Sequence, residues 1–457
     1  MSPKVERRFL LFLLAILLAL APAAPGTWRP SDGPGVSTGS PAQESARPQY
    51  TGPGSCASTS CHGSVKPRSE TRVLQDEYST WVVKDRHSKA YDALAGPVGV
   101  RMARILGLGE PQKAPRCLAC HALDVPAAER ARTFDLSEGV SCESCHGPAS
   151  QWLGRHTTKE WESLSGADKA RYGMYDTADA IRRAEKCLTC HLGNSEKFVD
   201  HELIAAGHPD LFFELDSFSA VMPHHWKQPT EKDPWQGVRE WGTGQAVQLR
   251  ASLERLGARA RGKVWPEYAE LQCFACHHNL TRAEDSWRQE RGYPGRRPGN
   301  APWNASRYAV FRELARQVDA DLAGKLDAEM AKLWETMSHL SPGRDAVVTQ
   351  AESAAAIIEP IAARLNGQAY DAPLTLRLLQ RICAQADSIA GQGERAAEQA
   401  AMALQSLYIA YSRNAKPANA EEVRAAINEL FRLLENPSNY HPSRFAAALR
   451  KIATLLR

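Results

Sequence analysis

Five cysteine pairs in this chain each carry a histidine directly after the second cysteine. They are Cys56 and Cys61 with His62, Cys117 and Cys120 with His121, Cys142 and Cys145 with His146, Cys187 and Cys190 with His191, and Cys273 and Cys276 with His277. The first pair has four intervening residues and the others two. Two thiols so spaced can bond both vinyl groups along one porphyrin edge, and the next residue can fold under the ring to bind iron. C-x-x-C-H is the attachment site of c-type haem. Histidine makes up 14 of 457 residues, so five chance placements have odds on the order of one in 10^8. Structural zinc takes four Cys/His ligands, which five motifs cannot supply evenly, and it gives no reason for the fixed histidine. Disulfides fit an exported chain with ten of eleven cysteines paired in sequence, but they too leave the histidines unexplained. The expected cofactors are five covalent haems, with His62, His121, His146, His191 and His277 as proximal ligands.

The other face of each iron decides between electron transfer and ligand chemistry, because a second histidine closes the open position. Candidates within the haem region are His87, His156, His201, His208, His224, His225 and His278, with Met222 as a further ligand type. Seven histidines for five irons would allow every haem to be six-coordinate. His278 adjoins His277 and could serve only a neighbouring haem. His339 and His441 read as surface or packing residues. His201-Glu202 opens like H-E-x-x-H, but position 205 is Ala and the next histidine is His208, so the zinc-binding i, i+4 pair is missing.

These residues must be positioned by a chain with distinct segments. Lys4, Arg7 and Arg8 precede an apolar run from Phe9 to Leu20 and then Ala21-Pro22-Ala23, the pattern of a cleaved export signal over residues 1–23. The run is shorter than the about 20 residues that span a bilayer, so a retained anchor is the lesser alternative. Residues 24–55, rich in Pro, Gly and Ser, read as a linker. Residues 56–303 read as a pentahaem domain, loop-rich, with short helices wrapped around stacked haems. Trp226, Trp235, Trp241 and Trp265 could shield porphyrin edges or pack ordinarily. Arg282, Arg288, Arg291, Arg296 and Arg297 could pair with propionates or form a solvated loop. Residues 304–457 read as a bundle of five to seven helices. There Pro360 should kink or end a helix, Gly391 should end another, and Asn419 with Glu422 should start one. Val423, Ile427, Leu430 and Leu434 share an apolar face, and Cys383 reads as a buried small residue. The fold class expected is mainly α.

Trp81, His87, Ala90 and Leu94, and more strongly Gly139-Val140-Ser141-Cys142-Glu143-Ser144-Cys145-His146-Gly147-Pro148 with His156 following, resemble the cytochrome c-554 family of multihaem electron carriers over about residues 56 to 191. The resemblance implies His87 as distal ligand of the third haem, His156 as that of the first, and an open iron at His121. The longer first spacer, the fifth haem motif and the helical tail depart from that family. Residues 201–209 and 273–278 look like a larger set of multihaem cytochromes.

The formal net charge of +4 is too small to imply nucleic acid or an acidic membrane surface. The leading expectation is a periplasmic electron-transfer protein with mostly bis-histidine haems and periplasmic or membrane redox partners. One alternative is a multihaem reductase or oxidase of a small nitrogen or sulfur compound at an open iron of His121, with Arg116 or a free distal histidine nearby as proton donor. Another is an interaction subunit that docks through the helical tail.

Overall fold

The computed structural model describes residues 47–227, 233–277, 301–436 and 439–457. The export signal, most of the linker, His278 and the five arginines of the basic loop lie outside the described residues. The protein is mainly α-helical, and the described residues contain no strand. Two isolated bridges, Tyr50 with Arg130 and Leu271 with Trp303, tie loops together.

Up to residue 177 the helices are short: Glu77–Lys84, Ala90–Leu94, Pro97–Ile105, Pro115–His121, Cys142–His146, Lys159–Ser163 and Gly166–Ala170. Proline opens two of them, where its fixed φ and missing N–H cost nothing. Their buried apolar residues form only two small clusters, Leu94 with Leu118 and Ala122, and Ala149 with Trp152 and Trp161. Polar anchors supplement them. Glu143, 2% exposed, accepts the backbone N–H groups of Thr51, Gly52 and Ala149 at 2.8, 2.7 and 2.7 Å.

The main core begins earlier than the composition change at residue 304. Ala180, Ala184 and Leu188 on the helix Ala180–His191 pack into it, as does most of the long helix Gln236–Arg261. Trp241, Leu253 and Leu256 of that helix are fully buried among Leu326, Ile358 and Ile361 of the tail. The described residues of the tail form eight helices, more than expected, between Ser306 and Leu455. Asp319 splits one apolar stretch by capping the next helix through its carboxylate and Leu322 N–H at 2.9 Å.

Gly391 ends the helix Ala386–Gly391, as its sequence predicts. Pro360 does not end or interrupt Arg344–Gly367. It sacrifices one backbone bond, while fully buried Ile358 and Ile361 hold the segment in the core. Asn419 does precede Ala420–Arg432, but its amide donates to Leu455 O at 2.7 Å instead of closing a capping box with Glu422. Val423, Ile427 and Leu430 are buried, with Leu434 packed against them. Cys383 is 1% exposed, and burial pushes its thiol up to about 12. Trp241, Trp235 and Trp265 pack in or against the helical core, so ordinary packing accounts for them.

Candidate functional site

Each motif histidine closes its cysteine loop in one way. His277 donates its backbone N–H to Cys273 O at 2.8 Å, the i to i+4 bond of a helical turn. His121, His146 and His191 are the last residues of α-helices that include their cysteines. Positions i, i+3 and i+4 share a helix face, so both thiols and the imidazole are presented together. The longer first motif reaches the same end: His62 N–H bonds Cys56 O at 3.3 Å, and Cys61 N–H turns back on Ser58 O at 2.9 Å. The two extra residues are looped out without breaking the closure.

Across from these histidines lie the distal candidates. Ring centres of His62 and His156 are 6.0 Å apart, His87 and His191 6.1 Å, His121 and His208 6.5 Å, and His201 and His277 6.1 Å. Two imidazoles on opposite faces of one metal, each bonded at about 2 Å, have ring centres roughly 6–6.5 Å apart. Four pairs therefore have the separation that one shared iron requires. Burial, then nearby His225 and His62, push the His146 imidazole down to about 4. His224 is exposed, and both His224 and His225 lie against Trp226, with ring centres 4.9 and 5.0 Å away.

Two of these juxtapositions differ from what the family resemblance implies. His156 does lie against His62. His87, however, faces His191 rather than His146, and His121 has His208 beside it rather than an open side. Arg116, expected to stand near that iron as a proton donor, is committed to Asp200 at 2.5 Å and Glu202 at 3.0 Å.

The second ring nitrogen is fixed in most of these histidines. His62 Nδ1 pairs with Glu77 at 2.8 Å and His87 Nδ1 with Asp85 at 2.9 Å. His121, His156, His208 and His225 Nδ1 donate to the carbonyls of Ala90, Trp152, Pro209 and Pro223 at 2.9, 3.2, 2.7 and 3.2 Å. Occupying Nδ1 leaves Nε2 for metal and sets the ring's orientation. The carboxylates beside His62 and His87 raise those imidazoles, whereas burial lowers His191 to about 4 and lowers His208. Sequence reasoning missed Glu77 and Asp85. The only signal for Asp85 was a carboxylate two residues before a candidate ligand.

Local backbone makes the arrangement possible. Gly139 has φ +70°, and a Cβ there would stand 3.1 Å from His87 O. Only glycine allows that approach without strain, and the next residue, Val140, donates its N–H to the same carbonyl at 3.2 Å. Trp81 Nε1 donates to Val140 O at 3.1 Å. The two segments that carry the family resemblance thus hold each other.

The cysteine motifs adjoin in an order unlike the sequence. Cys56 and Cys142 lie within electrostatic reach of each other, as do Cys120 and Cys190. Cys145 and Cys190 are within electrostatic reach. His201 and His208, which face the fifth and second motif histidines, are seven residues apart. Donor types, separation and fixed Nδ1 groups all fit haem. Among the described residues no group of three or more His, Cys, Asp or Glu is arranged around a lone metal ion.

Neither a curated protein nor a solved structure matches the chain. Residues 55–147, spanning the first three motifs, match the family model of cytochrome c554 and c-prime, which supports a c-type cytochrome that transfers electrons through covalently bound haem.

Proposed function

We propose that the protein is an exported, periplasmic pentahaem electron carrier in which each iron lies between two histidines. The observation that carries this reading is the set of four histidine pairs at 6.0 to 6.5 Å. On this reading the axial pairs are His62 with His156, His121 with His208, His146 with His225, His191 with His87, and His277 with His201. Bound haem supplies reversible one-electron chemistry, tuned by axial ligands, burial and hydrogen bonding. The chain's part is to anchor each porphyrin through two thioethers, hold each imidazole by its Nδ1 partner and keep neighbouring centres close. The adjoining motifs support a row running first, third, fourth, second, fifth, so electrons would travel in an order different from the sequence. No acid, base or nucleophile is needed. His208 beside His121 favours a carrier over a reductase or oxidase with an open iron there.

Export agrees with covalent haem attachment and with the amino-terminal pattern. No helix among the described residues is long and apolar enough to cross a membrane. Partners would be periplasmic or membrane redox proteins.

The test is an intact mass and a magnetic-resonance spectrum of the matured protein. Five haems in mass and low-spin signals from every iron are expected. His208→Ala should convert one iron to high spin, and His224→Ala none. Colourless protein, or a mass equal to the bare polypeptide, would sink the reading. A native high-spin iron that binds carbon monoxide would instead favour catalysis.

A further inference from the structure

One charged pocket belongs to none of the histidine pairs. Asp210, Arg255, Arg259, Arg307 and Arg395 wall a cavity of about 10 Å³, the room of about one water or one carboxylate oxygen. Glu270, 3% exposed, pairs with Arg255 at 2.9 Å and Arg259 at 2.7 Å. Arg395 pairs with Asp210 and also donates to Cys273 Sγ at 3.0 Å. Those contacts use both carboxylates. Arg307 is 7% exposed, its Nε is buried without a hydrogen-bond partner, and no ion pair reaches it among the described residues. Burial, then Arg255, pushes its guanidinium down to about 9. Glu394 and Glu398, near Arg395 on the helix Glu394–Ala415, are not in the wall. Burial raises both carboxyls, Glu398 to about 7. Four guanidiniums against two carboxylates leave an uncompensated positive charge, which a protein interior tolerates only with a partner.

We propose that this pocket is an anion site in which Arg307, flanked by Arg255 and Arg395, receives one carboxylate, and that the occupant is a haem propionate. The inference rests on the reading that Cys273 and Cys276 carry a haem. The contact of Arg395 with Cys273 Sγ puts the pocket at the thioether edge of that haem. Propionates leave a porphyrin on the opposite edge, so the carboxylate would come from a neighbouring haem, and the one that His121 and His208 would hold is the candidate because His208 is two residues from Asp210 in sequence. Excess positive charge favours the reduced, less positive iron, so the pocket raises the midpoint potential of the haems beside it.

Potentiometric titration of the haem-loaded full chain tests this. R307M should lower one or two of the five midpoints while R307K stays near native, and E270Q should shift the same haems upward. Added sulfate separates the two sources of anion. Midpoints independent of sulfate in the unaltered protein agree with a resident propionate, whereas a sulfate dependence lost in R307M would replace it with a free oxyanion. Unchanged midpoints in both R307M and E270Q at native haem content would overturn the site. If R307M does not accumulate haem, E270Q decides alone. An intact mass short of the fifth haem would instead count against the reading of Cys273 and Cys276.

Discussion

Residues 47–177 and residues 236–455 are both helical, yet different forces hold them. The first region has short helices, two clusters of three buried apolar residues and a set of polar anchors such as Glu143. The second has helices of up to 26 residues and one continuous core from Trp241 to Leu449. A region that buries so little apolar surface of its own must draw stability from elsewhere, and covalent porphyrin is the apolar material its motifs call for. The helical region needs no such supplement. Residues 180–227 join the two, since one helix ends in His191 and also packs Ala184 and Leu188 into the large core.

The largest expected effect follows from removing haem. With the ten motif cysteines replaced by alanine, residues 56–177 should become protease-sensitive, while residues 236–455 stay resistant and keep their far-ultraviolet helical signal. Equal protection across the chain would break the distinction. Next in size is Trp241→Ala. This side chain is fully buried in the helical core, and such truncations cost about 3–5 kcal/mol. Thermal unfolding should show the loss in both the haem-loaded and the haem-free chain. A loss confined to the haem-loaded form would mean the helical core depends on haem after all.

Gly139→Ala probes the other region. The added methyl must adopt φ +70° and stand 3.1 Å from His87 O, a conformation that costs a non-glycine residue about 1–3 kcal/mol. The change should lower the unfolding temperature modestly and disturb the signal of the iron facing His87. Unfolding without any change in that signal would show that Gly139 does not position the ligand.

What could be read from sequence divides along the same line. Thioether chemistry is local, so spacing alone singles out the ten candidate attachment cysteines and the five histidines after them. Axial pairing is not local. His87 and His191 meet although about a hundred residues separate them. The core boundary was hidden for another reason. Thr243, Gln245, Gln248, Arg250 and Arg255 of the helix Gln236–Arg261 are all buried, so a helix enclosed on every side does not show the apolar stripe that marks a surface helix. Pro360 carried the signal of a kink or a helix end and lies inside a helix that it does not end, and the capping box expected at Asn419 gives way to a bond with Leu455 O.

The smallest expected effect is a pH dependence lodged where the joining segment meets the helical core. Burial, then Glu214, raises the Asp216 carboxyl from its ordinary value near 3.8 to about 7, with Glu240 adding to the rise and Ser406 and Arg413 opposing it. Fully buried Glu214 is shifted in the same direction. In the folded chain Asp216 keeps its proton up to about pH 7, whereas the unfolded chain releases it near pH 4. Between those values the native state binds more protons, so this residue's contribution to stability is present at low pH and is lost as pH rises. Asp216→Asn holds a neutral group of the same shape and should flatten the dependence, with the gain over the native protein largest near pH 7.5 and absent near pH 4. Melting temperatures of both proteins across that interval provide the measurement. A variant that parallels the native curve would mean Asp216 ionises normally, and a variant that loses stability only at high pH would mean that its carboxylate, not its acid, is the form the helical core requires.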